Sequence, residues 1–408
     1  MFPIERILKI QLILIFCFTI PNAVMDEFIP ALHLVSTAGL YITFFLSWLY
    51  VLCHPKVLKY KNSFLWFLVY FIIYSAFIYV DIAIEPEYPL AEMLGCPKSV
   101  TEFFRNSMIL FMYMLLVPLY SKIHDYSFLV KSYILLNLPL TIWFVMHYGN
   151  LYSSDASIDD MTLSSLVLAS SASNAMLFSV LFRPKWSNKN SFNKFCFILI
   201  LLGGLYVWGV LAKRGAILWF FVTLMSYKLI ISKKPSKTII VLLILLFIVY
   251  LCMPLIIQLV SNFSPFLAER MAATFIEGDT SGRMNEGGGY FYGIRQFLDS
   301  PWYGSYFRLI TGDRMWQGMY PHNLIIELLI TMGILGIIPL ILFILYIVRY
   351  IRKEFLNFID RNQTAMELVF FVMLINTILL MMSSGTPLLN MNYWLIFAIL
   401  LNINPKRK

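Results

Sequence analysis

The chain has 408 residues, of which 60% are hydrophobic and only 13% charged, whereas about 25% of residues are charged in soluble domains. This composition excludes a soluble globular enzyme and a disordered chain, and it predicts an all-α polytopic membrane protein. The formal net charge of +9 does not indicate a nucleic-acid surface, because the basic residues divide unequally between two predicted membrane faces.

Twelve apolar segments are predicted to cross a hydrocarbon core of about 30 Å. Lipid offers no partners to backbone N–H and C=O groups, so each segment is predicted to be a helix. In chain order the segments are 7–24, 31–53, 64–84, 103–120, 128–147, 161–182, 195–212, 215–231, 238–258, 323–349, 366–382 and 389–403. We expect one membrane domain over residues 1–408, with the first span retained because no small-residue cleavage site follows it.

The distribution of Lys and Arg predicts the orientation of these spans. With a cytoplasmic N-terminus, 22 of the 31 basic residues lie in inner segments and nine lie outside, against five acidic residues inside and 16 outside. The nine outer residues are Lys98, Arg105, Lys213, Arg214, Arg270, Arg283, Arg295, Arg308 and Arg314. Both termini are therefore predicted to be cytoplasmic, and the longest connection, 259–320, is predicted to be extracytoplasmic.

This outer loop (259–320) is too rich in Phe, Tyr and Trp for a solvated linker. Loops of such length usually carry function or are disordered. We expect it to fold back on the membrane surface, with residues 287–298 forming a short amphipathic helix.

Lys213 and Arg214 occupy a short turn between two spans, in "VLAKRGAILWF". One interpretation is a pair of snorkelling residues at helix ends. The other is an anion site, because the positive-inside bias disfavours cations in an outer turn and the helix opening at Gly215 points its N-terminal amides outward.

Arg283 lies in "GDTSGRMNEGGGY", where small neighbours would let a ligand approach the backbone. A guanidinium donates two parallel hydrogen bonds and so suits a phosphate. The alternative is a loop arginine paired with Glu277, Asp279 or Glu286. Arg295 is a weaker candidate and is expected to be a surface charge.

His322 stands before a long apolar segment in "YPHNLIIELLITMGILGII", and Pro321 and Asn323 suit a helix start. An imidazole there is either an interfacial or capping group or a general base, since it titrates near neutrality. Glu327, about one turn further on, is an acid inside a predicted span and so a functional candidate or a partner that orders His322.

No metal or cofactor is predicted. The five cysteines lack metal-ligand spacing, and the chain has no Walker loop, no HExxH and no GxSxG.

The ordered set "LAKRGAIL", "SGRMN…YFYGIRQFLDSPWYGSYF" and "PHNLIIELLITMGILGII" resembles the bacterial O-antigen ligase and O-antigen/exopolysaccharide polymerase superfamily. The motifs cover about residues 205–345. The resemblance implies a helical (GT-C-like) membrane glycosyltransferase, inverting and metal-independent, acting on undecaprenyl-diphosphate-linked glycans at the outer face of the inner membrane. In the family, the arginines of the short turn and of the large loop hold the diphosphate and the HN histidine is the base. These positions are Arg214, Arg283 and His322, with Lys213, Arg295, Asn323 and Glu327 as supporting candidates.

The chain departs from the family pattern at Thr331, where an acid is frequent, and at Gly287–Tyr290, where a tryptophan-containing helix is usual. The "KRG" turn favours a repeat-unit polymerase, with an O-antigen ligase as the alternative. A lipid-linked oligosaccharide flippase or transporter is the second alternative, although no inverted repeat of broken helices is evident. Expected partners are the lipid-linked glycan, membrane lipids, a chain-length regulator and a flippase, and no nucleic acid.

Overall fold

The computed structural model describes residues 4–28, 30–84, 100–123, 125–153, 165–276, 289–304, 323–357, 366–382 and 391–402. Within these ranges the chain forms seventeen α-helices, one short 3-10 turn and no strand. The prediction of an all-α protein is confirmed for this part of the chain.

In chain order the helices are α1 (Ile4–Phe16), α2 (Thr19–Phe28), α3 (Pro30–Cys53), α4 (Asn62–Ile84), α5 (Val100–Leu115), α6 (Val117–Tyr120), α7 (Ser127–Ser153), α8 (Ser165–Phe182), α9 (Asn190–Leu211), α10 (Arg214–Ile231), α11 (Pro235–Leu251), α12 (Met253–Ser261), α13 (Pro265–Phe275), α14 (Gly289–Asp299), α15 (Leu324–Asn357), α16 (Met366–Met381) and α17 (Met391–Asn402).

Seven spans in the described part of the chain are long and apolar enough to cross a membrane, or nine if each of two bent helix pairs counts as one span. The bends are 68° between α1 and α2 and 57° between α11 and α12. Three more apolar helices, Gly215–Ile231, Glu367–Met381 and Met391–Asn402, are shorter. Each predicted segment thus coincides with helical structure, so the chain is a membrane protein, while the number of twelve complete spans stays a prediction.

The chain groups into two compact units, each drawn from three separated stretches of sequence. The first unit contains Met1–Cys53, Lys122–Asp279 and Phe355–Val372, and the second contains His54–Ser121, Thr280–Glu354 and Met373–Lys408. The expected single membrane domain stays a prediction.

In the first unit, α7 packs against α1, α2, α8 and α9, and its buried Asn137 bridges the bend between α1 and α2. The Asn137 Oδ1 accepts from the Ile20 N–H at 3.2 Å, and its Nδ2 donates to the Cys17 carbonyl at 2.9 Å. Backbone groups freed at a helix break find no partners in lipid. The predicted span 7–24 is therefore a bent pair stabilised by a side-chain amide.

In the second unit, an aromatic core joins α17 to α4. The Trp394 ring lies 5.7 Å from Phe67, 4.9 Å from Phe71 and 5.0 Å from Tyr74, measured between ring centroids. Such pairs add to the stabilisation from area burial. Helix α17 also packs against α5 and α6 of this unit.

Hydrogen bonds also hold the segment that precedes α4 in the second unit. The Tyr60 hydroxyl donates to the Leu115 carbonyl at 2.9 Å, and burial raises the pKa of Tyr60 to about 12. The hydroxyl therefore stays protonated and keeps donating at alkaline pH values at which an exposed tyrosine ionises. The Lys61 N–H donates to Asn402 Oδ1 at 3.0 Å, which attaches this segment to the end of α17.

Helix α15 is broken at Gly333, where φ is 65° and ψ is −164°, a conformation open essentially to glycine alone. The turn 300–304 packs against this break. The N–H groups of the two residues after Gly333 donate to the carbonyls of Pro301 and Trp302 at 2.9 and 3.1 Å. The continuous helix predicted over 323–349 is therefore wrong at this point, because a segment distant in sequence replaces the helical partners.

The break changes how α15 relates to the membrane. The segment from the residue after Gly333 to Lys353 has about 20 residues and a length of about 30 Å, sufficient to cross the hydrocarbon by itself. The preceding segment, Leu324 to Met332, is therefore not needed to complete the span.

Candidate functional site

The turn between α9 and α10 consists of Ala212 and Lys213. Ala212 adopts the left-handed conformation, with φ 48° and ψ 34°, and its N–H donates to the Trp208 carbonyl at 2.9 Å. Lys213 is extended and half-buried, and Arg214 is the first residue of α10. The helix start predicted at Gly215 is thus confirmed to within one residue. The Arg214 side chain is not among the described parts of the structure.

Buried Ser173 of α8 ties together the two helices that flank this turn. The Trp208 indole N–H of α9 donates to the Ser173 Oγ at 2.9 Å. The Ser173 hydroxyl proton is shared between the carbonyls of Ala216 on α10, at 3.1 Å, and Ala169 on α8, at 2.9 Å. Ser173 therefore holds the last turn of α9 and the first turn of α10, and with them the backbone of Arg214.

The start of the outer loop (259–320) is attached to the same end of α9. The Ser264 hydroxyl donates to the Gly209 carbonyl and accepts from the Leu267 N–H at 3.3 Å, which caps α13. Sequence reasoning did not predict α13. The only signal for it is Ser264 followed by Pro265, a residue pair typical of a helix start.

Two of the outer arginines lie over aromatic rings. The Arg270 guanidinium of α13 lies 5.2 Å from the Phe266 ring centroid. The Arg295 guanidinium of α14 lies 5.8 Å from that of Phe291. Helix α14 confirms the amphipathic helix predicted over 287–298. Arg295 is exposed on it, which agrees with a surface charge.

Asn323 caps α15, as the sequence predicts. Its Oδ1 accepts from the N–H groups of Ile325 and Ile326 at 3.0 and 3.2 Å. His322 precedes this cap directly, but His322 and Arg283 both lie outside the described residues, so their predicted roles stay predictions.

Glu327 is fully buried in the first turn of α15. Its carboxylate gains from the partial positive charge at a helix N-terminus. The Thr331 hydroxyl donates to the Glu327 carbonyl at 2.7 Å. The Thr331 side chain is therefore used within its own helix.

Trp302 and Tyr303 are 63% and 56% exposed, although their backbone is firmly held. The turn that carries them is closed by the Gly304 N–H donating to the Ser300 carbonyl at 3.0 Å and by the Ser300 hydroxyl donating to the Gly304 carbonyl at 2.6 Å. Bonds to the residues after Gly333 attach the turn to α15. Two aromatic rings are thus presented on a rigid backbone.

An apolar pocket of about 350 Å³ lies between α4 and α5 in the second unit. Its walls include Phe71, Tyr79, Phe103, Phe104 and Met108. These residues lie in the halves of the two helices that are predicted to be nearer the outer face.

Comparison of the chain with protein-family models, with curated protein sequences and with solved structures found no match. The resemblance to the ligase and polymerase superfamily therefore rests on the motifs themselves.

Proposed function

We propose that the protein is a membrane glycosyltransferase of the bacterial inner membrane. It polymerises undecaprenyl-diphosphate-linked oligosaccharide repeat units into O-antigen, capsule or exopolysaccharide on the outer face. The observation that carries this proposal is the α9–α10 turn. Lys213 and Arg214 stand at the N-terminus of α10, in a turn predicted to be outside, and Ser173 braces that turn from within the bundle. Two cations beside the N-terminal amides of a helix suit a diphosphate.

The reaction follows from the chemistry of the donor. The His322 imidazole takes the proton of an acceptor sugar hydroxyl, whose oxygen attacks the anomeric carbon of the donor glycan. The bond from that carbon to the diphosphate oxygen breaks, and undecaprenyl diphosphate leaves with the electron pair. Arg214 and Arg283 stabilise the charge that develops on the leaving group. Attack opposite the leaving group inverts the configuration at that carbon.

Three further features support a large lipid-linked glycan as substrate. The exposed rings of Trp302 and Tyr303 offer flat apolar surfaces on which sugar faces stack. The apolar pocket between α4 and α5 suits part of a polyprenyl chain. Buried Glu327 lies in the first turn of the helix that follows His322 in the sequence, which makes it a candidate partner for the imidazole.

Broken helices bear on the transporter alternative, and the breaks in α1–α2, α11–α12 and α15 were not predicted from the sequence. Transporters use the free backbone groups of broken helices to bind substrate. Here Asn137 bonds the Cys17 carbonyl and the Ile20 N–H. At the α11–α12 break the Cys252 N–H donates to the Ile248 carbonyl at 2.9 Å. The carbonyls of Pro301 and Trp302 accept from the N–H groups after Gly333. These groups are thus occupied within the protein, which favours the enzyme.

Reconstitution of the purified protein with lipid-linked repeat unit and no other acceptor tests the proposal. We expect a ladder of longer lipid-linked products. A substrate that stays unchanged until lipid A-core is added would identify a ligase. Movement of the substrate across the bilayer without any change in glycan length would exclude both enzymes.

The predicted orientation is tested in a cysteine-free background. A cysteine introduced at Ser281 is expected to react with a membrane-impermeant thiol reagent in intact spheroplasts, and one introduced at Asn188 is not. The reverse pattern would put the α9–α10 turn on the cytoplasmic side and remove this mechanism.

A further inference from the structure

The connection between α8 and α9, at the opposite end of α9 from the Lys213–Arg214 turn, borders an open basic pocket of about 420 Å³ whose lysine and arginine side chains are exposed. We call it the α8–α9 pocket. Its walls carry the cations Arg183, Lys185 and Lys194 and the aromatic residues Trp186 and Phe197, and none of the described residues that line it is acidic. In the described part of the chain, none of the three cations has a carboxylate partner.

The pocket is built by an ordered loop. The Asn193 Oδ1 accepts from the N–H groups of Trp186 and Ser187 at 2.8 and 3.0 Å, and its Nδ2 donates to the Ser187 carbonyl at 2.8 Å. The loop is thereby folded onto the first turn of α9. Arg183, with a φ of 42°, ends α8 in the left-handed region that non-glycine residues rarely adopt, and this conformation turns the chain into the loop.

The pocket lies at the membrane boundary, because α8 and α9 are both long and apolar enough to cross the bilayer. It begins directly where α8 ends and closes on the first turn of α9. Tryptophan is enriched at this boundary, and Trp186 and Phe197 give the pocket an aromatic side next to its cations. The distribution of Lys and Arg predicts that this end faces the cytoplasm, where the leaflet is anionic.

We propose that the α8–α9 pocket binds a phosphate group, supplied by the headgroup of an anionic phospholipid of the inner leaflet or by a free phosphate compound of the cytoplasm. The three cations supply charge-assisted donors to phosphate oxygens. The aromatic side and the position at two helix ends favour the lipid headgroup. This site is independent of the proposed transfer reaction, which takes place on the other face.

The test uses the purified full-length protein in a zwitterionic detergent. Short-chain phosphatidylglycerol, short-chain phosphatidylcholine and inorganic phosphate are each titrated, and binding is followed by the thermal unfolding midpoint. We expect phosphatidylglycerol to raise the midpoint and phosphatidylcholine to leave it unchanged. The double variant Lys185→Gln/Lys194→Gln is expected to weaken phosphatidylglycerol binding at least about tenfold, since each charge-assisted hydrogen bond contributes a factor of that order.

The matched control is Lys233→Gln/Lys234→Gln, which removes the same charge from exposed positions between α10 and α11. It is expected to bind like the parent protein, and Lys185→Arg/Lys194→Arg is expected to retain binding because it keeps the charge. Binding of inorganic phosphate as tight as that of phosphatidylglycerol, and lost in the same pocket variant, would support the phosphate site and assign a free compound as its ligand. Equal weakening in both Gln variants, or binding of phosphatidylglycerol unaffected by the pocket variant, would overturn the proposal.

Discussion

The α9–α10 turn and the junction between the outer loop (259–320) and α15 both carry residues assigned to the proposed reaction, but they are held in different ways. The turn is braced by side chains, since Ser173 bonds Trp208 on one helix and the Ala216 carbonyl on the next. The junction is held backbone to backbone, where the turn 300–304 packs against Gly333. When a side-chain brace loses one hydrogen bond, the backbone that it holds can keep its conformation. A backbone contact that only glycine permits is lost when a larger residue replaces the glycine. We therefore expect changes at the junction to cost more than changes at the turn.

The largest effect is expected at the junction, from His322→Ala. Loss of a positioned base typically lowers the rate by about 10²- to 10⁴-fold, so polymer formation from lipid-linked repeat unit should nearly cease. The donor should still bind, because Arg214 and Arg283 supply that affinity. The wild-type rate should also fall as the pH drops through about 6–7, since a protonated imidazole cannot accept a proton.

The control for this prediction is His322→Asn, which suits a helix start as well as histidine does but cannot act as a base. A well-expressed His322→Asn protein with near-normal turnover would contradict the assignment and leave Glu327 as the next candidate for the base.

The second prediction concerns the backbone contact itself. Gly333→Ala forces a side chain into a φ of 65°, and its Cβ would lie 2.4 Å from the Trp302 carbonyl carbon. We expect a loss of about 3 kcal/mol or more in the free energy of unfolding, from backbone strain and displacement of the docked turn. Denaturant unfolding of the purified protein measures this loss of stability.

The control is Gly39→Ala in α3, where the added methyl meets only the Leu14 side chain at 3.4 Å. A stability loss no larger than that of the control would mean that the turn 300–304 does not depend on this glycine.

These two regions also separate what the sequence could predict from what it could not. Features encoded within a few residues were predictable, such as the apolar helices, the Asn323 cap and α14. The break at Gly333 was not, because "TMGILGII" is continuously apolar and nothing near it indicates that residues 300–304 will pack there. Asn137 and Ser173 were missed for the same reason, since a polar residue in an apolar helix gives no sign of which distant backbone group it bonds. The roles of Arg283 and His322 stay predictions.

At the α9–α10 turn, Arg214→Lys keeps the charge and removes the paired donors that match a phosphate. A charge-assisted hydrogen bond contributes about 1.5–3 kcal/mol, so turnover should fall roughly ten- to a hundredfold at a normal protein level in the membrane. Arg283→Lys should show a similar loss. Arg308→Lys is the control and should be nearly silent. Full activity in Arg214→Lys would make this arginine a flanking charge of the helix.

The smallest effect is expected from Ser173→Ala, which removes the brace and leaves every proposed substrate contact in place. The Trp208 indole N–H loses its acceptor, and the Ala216 carbonyl loses the hydroxyl. An unsatisfied buried donor costs about 1–3 kcal/mol, and the value should lie at the low end because a turn near the membrane surface can admit water. Ser170→Ala is the control, since Ser170 is also buried on α8 but forms no hydrogen bond that joins helices among the described residues. If Ser173 positions Arg214, turnover of Ser173→Ala should fall several-fold at saturating substrate. The fold-loss of the double variant Ser173→Ala/Arg214→Lys should then be smaller than the product of the fold-losses of the two single variants. A lower thermal midpoint with unchanged turnover would instead limit Ser173 to stabilising the bundle. The Ala212 to Trp208 and Ser264 to Gly209 hydrogen bonds would then be sufficient to maintain the turn.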